Sequence, residues 1–182
     1  MKKLLSLTCL LVSSASFANQ HQIGIDSFVG GVDGQLTEGT RPLNDTVTQH
    51  YHLSYQYTLS DYWGVKAGYL FGDTEDFGII LDEFTETKLE YTGPTIGLVG
   101  NLPLSGGNSL FVDVNTINYD YEMTDEGKLE VSESGWGYNA NVGWQYAFEN
   151  GLGVKLAYGF SEFGDNVEIG SFSFGVNYRF GN

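Results

Sequence analysis

Two residues in a polar stretch have the side chains of a hydrolytic pair. His52 and Ser54 form a His-x-Ser arrangement, and a histidine beside a serine can act as the base that activates the hydroxyl for nucleophilic attack. Residues two apart in an extended strand share a face. A His and a Ser on one strand face more often serve as interior polar filler than as catalysts, and we predict no enzymatic activity from them.

Carboxylates are the second group with possible chemistry. They concentrate in two stretches, at 73–86 and at 125–133. Carboxylate-rich loops can bind Ca²⁺ or Mg²⁺, but no EF-hand-like spacing occurs, and a solvated acidic surface is the favoured interpretation. Cys9, the single cysteine, lies in the N-terminal apolar run. We therefore predict no metal site and no cofactor.

The elements that position these residues are β-strands, because apolar and small polar side chains alternate along the chain. The segment WGYNANVGWQYAF, at 136–148, has a large apolar or aromatic residue at almost every second position. Period-two alternation is typical of a strand with two different faces. Four further segments repeat it clearly, at 47–59, 63–71, 152–161 and 171–180. Three are fainter, at about 21–32, 87–102 and 109–123, with phase slips near Gly93–Pro94 or Asn118 that suggest bulges.

The connections between these eight segments alternate in length. Short turns are expected at 60–62, 103–108 and 149–151, and longer polar segments at 33–45, 73–86, 124–130 and 162–167. A soluble β-sandwich or lipocalin-like barrel is the alternative, but its solvent face would carry more charge than these small polar faces do. The pattern predicts an all-β, eight-stranded antiparallel transmembrane β-barrel, with short periplasmic turns, longer extracellular loops and its aromatic faces toward lipid.

The first residues have the layout of a secretory leader. Two lysines precede an apolar run from Leu4 to Val12, and small residues follow up to Ala18. We expect a signal peptide over 1–18, cleaved after Ala18, export across the inner membrane, and a barrel domain over 19–182 in the outer membrane. The net charge of −15 argues against nucleic acid as a partner.

Five charged residues fall on the inward faces of the predicted strands, a few residues from the short turns. We predict that these two acids and three bases pair as an ionic plug, because an isolated charge in a narrow interior is costly. On the lipid face at mid-bilayer, each base would cost about 2–4 kcal/mol. The residues are Asp26, Lys66, Asp113, Lys155 and Arg179.

The chain resembles the small eight-stranded outer-membrane barrels of Gram-negative bacteria, which include the transmembrane domain of outer-membrane protein A and the attachment-invasion barrels. The most specific part of the resemblance is the last segment, SFSFGVNYRFGN. It is similar to the C-terminal assembly signal that the barrel-insertion machinery reads, although Gly181 and Asn182 follow the final Phe. The signal would consist of Phe172, Phe174, Val176, Tyr178 and Phe180.

The resemblance implies a structural, adhesive or protective role, with no shared reaction. We expect a non-enzymatic, monomeric surface protein that contacts outer-membrane lipids and lipopolysaccharide, with an extracellular ligand as a further partner through its loops. A small low-conductance pore is one alternative. A lipid A-modifying enzyme is another, since His52 and Ser54 are similar to the His-x-Ser pair of the outer-membrane lipid A deacylases.

One predicted extracellular loop carries unusual apolar residues. They lie in DTEDFGIILDEF, at 73–84, and an apolar patch with a carboxylate rim is typical of an interaction surface. Packing of these side chains over the barrel mouth, or against the loop around Leu36 and Leu43, is the favoured interpretation, and the loop is nevertheless the best candidate for a partner site. The candidate interaction loop comprises Phe77, Ile79, Ile80, Leu81 and Phe84.

Overall fold

The computed structural model describes residues 20–34, 46–73, 87–125, 128–164 and 167–181. These residues form eight strands: β1 (Gln20–Gly34), β2 (Thr46–Ser60), β3 (Trp63–Asp73), β4 (Thr87–Pro103), β5 (Asn108–Asp125), β6 (Lys128–Ala147), β7 (Leu152–Phe163) and β8 (Val167–Phe180). They follow one another around a closed antiparallel barrel in which β1 pairs with β8. The predicted fold class is confirmed. Within the described ranges, no helix is long and apolar enough to cross a membrane.

Cross-strand pairing shows how far the strands are staggered. A path of paired residues that starts at Arg179 on β8 returns to the same strand at Ile169, ten residues earlier. A stagger of this size in an eight-stranded barrel leaves an interior that side chains can fill. The path runs through Gln22, Gln56, Lys66, Gly97, Asn115, Asn139 and Ser161.

The large apolar side chains of the alternating segments lie on the outside of the barrel. Phe172 and Trp136 are 72% and 70% exposed, and Ile96 is 65% exposed. Small and polar residues at the intervening positions face inward and are buried. An apolar exterior around a polar interior is the arrangement that lipid surroundings favour, since backbone groups are paired and apolar atoms meet the hydrocarbon.

This polarity inverts toward the long-loop end of the barrel. On β5 the exposed outward residues change from Leu110, Val112 and Val114 to Asn118 and Asp120. The inward residues of the same end are apolar and form a buried core that consists of Val32, Leu70, Leu89, Tyr91, Ile117, Tyr119, Tyr121, Met123, Phe163, Val167 and Ile169. This end of the barrel therefore has the organisation of a water-exposed protein, and the inversion on β5 marks where the strands leave the lipid.

The inversion explains two differences from the predicted strands. β4 and β5 do not pair at Gly93 and Pro94, but their register is the same on both sides of this gap, at Thr92–Asp120 and Thr95–Ile117. β5 pairs continuously with β6 through Asn118. The predicted bulges at Gly93–Pro94 and Asn118 are therefore wrong. The pattern seemed to slip because the apolar residues move to the inner face while the backbone alternation continues. Register shifts occur instead between Thr58 and Ser60 and between Met123 and Thr124.

The connection predicted at 124–130 is mostly strand. β5 extends to Asp125 and β6 begins at Lys128, so the two strands form a hairpin that continues beyond the lipid-facing part of the barrel. Tyr121 on β5 pairs with Glu133 on β6, and the Tyr121 hydroxyl donates a hydrogen bond of 2.8 Å to that carboxylate. The polar residues of this stretch indicated a loop, but cross-strand contacts extend the sheet.

Candidate functional site

Four buried charges meet at one level inside the barrel. Lys66 Nζ lies 2.9 Å from Asp113 Oδ2, and Lys155 Nζ lies 2.6 Å from Asp26 Oδ1. Lys66 also lies 3.9 Å from Asp26, which links the two pairs. The four residues are at most 6% exposed. They come from the alternate strands β1, β3, β5 and β7, and two positive charges balance two negative charges. We call them the charge cluster.

Asparagine amides extend this cluster across the barrel. Asn141 and Asn115 donate hydrogen bonds of 2.6 and 3.0 Å to Asp113 Oδ1. Both amides also donate to Asn139 Oδ1, and Asn139 in turn donates to the Ser161 hydroxyl at 2.9 Å. The Asp113 carboxylate is therefore held by an ammonium group and two amides, which compensates the cost of burying it. The asparagines on β5 and β6 were not singled out from the sequence, although their inward phase could have indicated them.

Arg179 does not join the charge cluster, so the predicted fivefold grouping is corrected to four residues. Asp26 pairs across the strands with Gly175, whereas Arg179 pairs with Gln22, four residues nearer the short-turn end. Four strand residues span about 13 Å. The side chain of Arg179 is only partly buried and makes no ion pair with any residue in the described ranges. Residues at equal distances in sequence from a short turn do not lie at the same level along the barrel axis, because the strands are staggered.

His52 and Ser54 both face the barrel interior. The His52 ring nitrogen Nε2 lies 2.8 Å from the Thr95 hydroxyl, and no hydrogen bond joins His52 to Ser54 among the described residues. His52 is 1% exposed and Ser54 is 8% exposed. A serine nucleophile needs its base within hydrogen-bond reach and an opening to substrate. The arrangement seen here fits interior packing better than hydrolysis.

Aromatic side chains close the interior above the charge cluster. The Tyr91 hydroxyl lies 2.9 Å from the Thr48 hydroxyl and 3.0 Å from His50 Nδ1. Phe28 stacks on the His50 ring with a centroid distance of 4.4 Å, and Phe163 packs on Tyr91 at 5.1 Å. All five side chains are buried, at 2% exposure or less. This layer separates the charge cluster from the long-loop end of the barrel.

Inward glycines give the large interior side chains room. A Cβ atom on Gly175 would lie 1.9 Å from Asp26 Oδ1, and a Cβ atom on Gly68 would lie 2.5 Å from His52 Nε2. These distances are well below van der Waals contact. Because these inward glycines have no side chain, the polar side chains of the neighbouring strand can pack directly against their backbone.

The remaining predicted site residues divide into two groups. Phe77, Ile79, Ile80, Leu81 and Phe84 lie outside the described residues, as do most of the loop acids. The residues of the predicted assembly signal lie on the outer face of β8, where Phe172 to Phe180 at every second position are 41–72% exposed. No group of three or more potential metal-ligating His, Cys, Asp or Glu side chains occurs in the described ranges.

Comparisons with known proteins agree with this architecture. The family model of the outer membrane protein beta-barrel domain matches residues 4–180. The fold is similar to that of Ail, the attachment invasion locus protein of Yersinia pestis, with 19% identity, a TM-score of 0.61, and 90% of this chain and 100% of that chain covered. Among curated proteins, none matches the chain in sequence.

Two other outer-membrane proteins share the fold. Neisserial surface protein A has a TM-score of 0.69 at 12% identity, with 90% of this chain and 100% of that chain covered. OprG from Pseudomonas aeruginosa has a TM-score of 0.56 at 12% identity, with 93% and 99% covered. Similarity at these identities shows the fold and does not transfer an activity.

Proposed function

The chain belongs to the outer membrane protein β-barrel domain family, and we propose that it is a sealed, non-enzymatic outer-membrane barrel that presents a binding surface to the outside of the cell. The barrel would hold this surface in place and contact lipopolysaccharide around its rim. Export by a cleaved leader over 1–18 and recognition of the last strand by the barrel-insertion machinery are parts of the same proposal.

The filled interior supports a sealed barrel over a pore. The charge cluster occupies one level, and the layer of Tyr91, Phe28 and Phe163 occupies the next. Each cluster member has its charge balanced by a neighbour within 4 Å. A permeating ion would have to displace these side chains and break buried pairs, which is costly.

We expect the purified protein to show no steady single-channel steps in planar bilayers, because side chains fill its interior. Electrical recording at several voltages is the measurement. Faster gel migration of the unboiled protein than of the boiled protein serves as the folding control, since a closed barrel resists detergent. Large, steady current steps from protein that passes this control would favour the small-pore alternative.

The observation that carries the interaction proposal is an unpaired strand edge at the long-loop end. Residues 128–136 of β6 pair with β5, whereas the first pair between β6 and β7 is Gly137–Phe163. No described residue pairs with the second edge of that stretch, which is about 30 Å long at strand spacing. With the upper parts of β4 and β5, it forms a sheet that we call the projecting sheet. An unpaired edge can receive an extended segment of a partner protein by strand addition.

The charge of the chain restricts the partner. A structure of Ail contains the heparin analogue sucrose octasulfate, a polyanion. The present chain has a net charge of −15, and Glu122 and Glu133 are exposed on the projecting sheet. Like charges across an interface disfavour binding. We therefore propose a neutral or basic protein segment as the partner, and not a sulfated glycan.

The test introduces one lysine on the projecting edge. We expect Ser134→Lys to reduce binding of bacteria that carry the protein to a panel of immobilised extracellular proteins by at least fivefold, because an edge lysine opposes strand addition. Thr124→Lys is the matched control, since it adds the same charge on the central strand β5 and should change binding less than twofold.

A third variant separates the edge from the predicted loop. Ile79, Ile80 and Leu81 are replaced together by Ser. Loss of binding in this variant with full binding by Ser134→Lys would identify the loop as the binding surface and contradict the edge. If cells with and without the protein bind the panel equally, the proposed interaction role is wrong and a structural role is the remaining explanation.

Loss of a lipid A acyl chain that requires His52 and Ser54 would support the enzyme alternative.

A further inference from the structure

A cavity of about 390 Å³ opens at the short-turn end of the barrel. Half of its twelve lining residues carry amide or hydroxyl side chains, and one cation, Arg179, and one acid, Asp61, are also present. Gln56 lies on this wall and is the cross-strand neighbour of Lys66 in the charge cluster. The cavity therefore ends below the charge cluster and forms a blind pocket. Its volume is in the range of small-molecule sites. The polar residues used below are Gln56, Thr58, Asn101, Ser109, Gln145 and Arg179.

Two of these side chains have hydrogen-bonding capacity that the described residues do not use. Arg179 makes no side-chain ion pair or hydrogen bond within the described ranges, so the five N–H donors of its guanidinium group are free for a ligand. Gln56 is only 9% exposed and also lacks a hydrogen-bond partner there, yet its amide is not among the fully enclosed polar groups. Its amide therefore faces the cavity.

The charge balance favours an anion at this position. Lys66 and Lys155 are already paired with Asp113 and Asp26. Arg179 is the one cation that lines the cavity, and it forms no ion pair with a described residue. Asp61, an exposed residue of the β2–β3 turn, lies at the same cavity and would repel a dianion more than a monoanion. The planar fork of arginine matches a carboxylate through two parallel hydrogen bonds.

We propose that this cavity binds a small carboxylate that also carries several hydroxyl groups, the chemistry of an acidic sugar. The carboxylate pairs with Arg179, and the hydroxyls bond to Gln56, Thr58 and the Asn101–Gln145 amide pair, whose two groups lie 3.3 Å apart. Short turns of such barrels face the periplasm, so the ligand comes from that compartment. The site is independent of the extracellular surface proposed above.

The test uses the full chain, folded in detergent micelles, and follows side-chain N–H signals by NMR. We expect D-glucuronate to shift the signals of Arg179 and Gln56 saturably, and D-glucose to bind at least tenfold more weakly because it lacks the carboxylate. Arg179→Gln should weaken glucuronate binding at least tenfold. Lys88→Gln is the matched control, since it removes a cation at the opposite end of the barrel and should leave the affinity unchanged.

Three results would overturn the proposal: no saturable shift with glucuronate, equal affinity in Arg179→Gln and the unmodified protein, or tighter binding of D-glucose 6-phosphate than of glucuronate. The last result would assign the cavity to phosphates. Gel migration before and after boiling verifies that each variant is folded. If Arg179→Gln does not fold, Gln56→Leu is used, and its affinity for glucuronate must fall at least threefold for the proposal to stand.

Discussion

Replacing Asp113 with alanine is expected to lower the free energy of unfolding by about 3–5 kcal/mol, the largest loss that we predict for one side chain. The substitution leaves Lys66 with Asp26 as its remaining acid, at 3.9 Å, and Asp26 already pairs with Lys155. Two buried ammonium groups would then share one carboxylate. Asn141 and Asn115 would also lose one of the two oxygens that accept their hydrogen bonds and would keep Asn139 Oδ1.

Urea titration of the protein in lipid bilayers or micelles measures this loss. Lys88→Ala is the control for an ion pair in water, because Lys88 and Glu90 pair at 2.9 Å with side chains 41% and 57% exposed. An exposed pair contributes about 0–1 kcal/mol. The double variant Lys66→Met with Asp113→Leu removes both charges and should recover at least half of the stability. A double variant as unstable as Asp113→Ala would show that unpaired charge is not the cause.

Gly175→Ala is expected to destabilise the barrel by about 1–3 kcal/mol, although alanine normally suits a strand better than glycine. The added Cβ atom would lie 1.9 Å from Asp26 Oδ1. Asp26 cannot move away freely, because Lys155 holds its carboxylate at 2.6 Å. The methyl group and the ion pair compete for one space, so either the pair is distorted or the strands separate.

Gly31→Ala is the matched control for this prediction. Gly31 lies in β1, a neighbour of β8, and a Cβ atom there would meet nothing within 4 Å. We expect a change of at most about 0.5 kcal/mol for this variant, measured by the same urea titration. Equal effects of the two alanines would mean that glycine at 175 serves backbone flexibility and not the packing of Asp26.

The charge cluster was largely predictable from the sequence, because the inward direction of each side chain follows from its position in one strand. Asp26, Lys66, Asp113 and Lys155 occupy positions whose phase in the alternation points them inward. Burial of four charges then requires that they pair. Which lysine pairs with which acid was not predictable, because it depends on the angular positions of β1, β3, β5 and β7 around the closed barrel.

The aromatic layer and the projecting sheet could not be predicted in this way. Tyr119 and Ile117 are inward by phase, but the apolar type of these residues suggested the lipid side. The inward position of these apolar residues is recognisable only in the barrel, where neighbouring strands also carry apolar residues on the inner face at the long-loop end. The edge of β6 depends on β7 ending at Phe163 while β6 continues to Lys128, a difference in strand length that no single segment contains.

The strand number, the antiparallel order and the inward or outward face of each residue in the five clearly alternating segments could be predicted from the sequence. These properties follow from extended backbone, in which successive side chains point to opposite sides. The level of each residue along the barrel axis, and whether it meets lipid or water, depend on how the eight strands close into a barrel. Closing the barrel staggers the strands by ten residues. Because of this stagger, Arg179 lines the cavity at the short-turn end, whereas Asp26 lies in the charge cluster. The same alternation that faces lipid at Val112 faces water at Asp120 because the strands extend beyond the membrane.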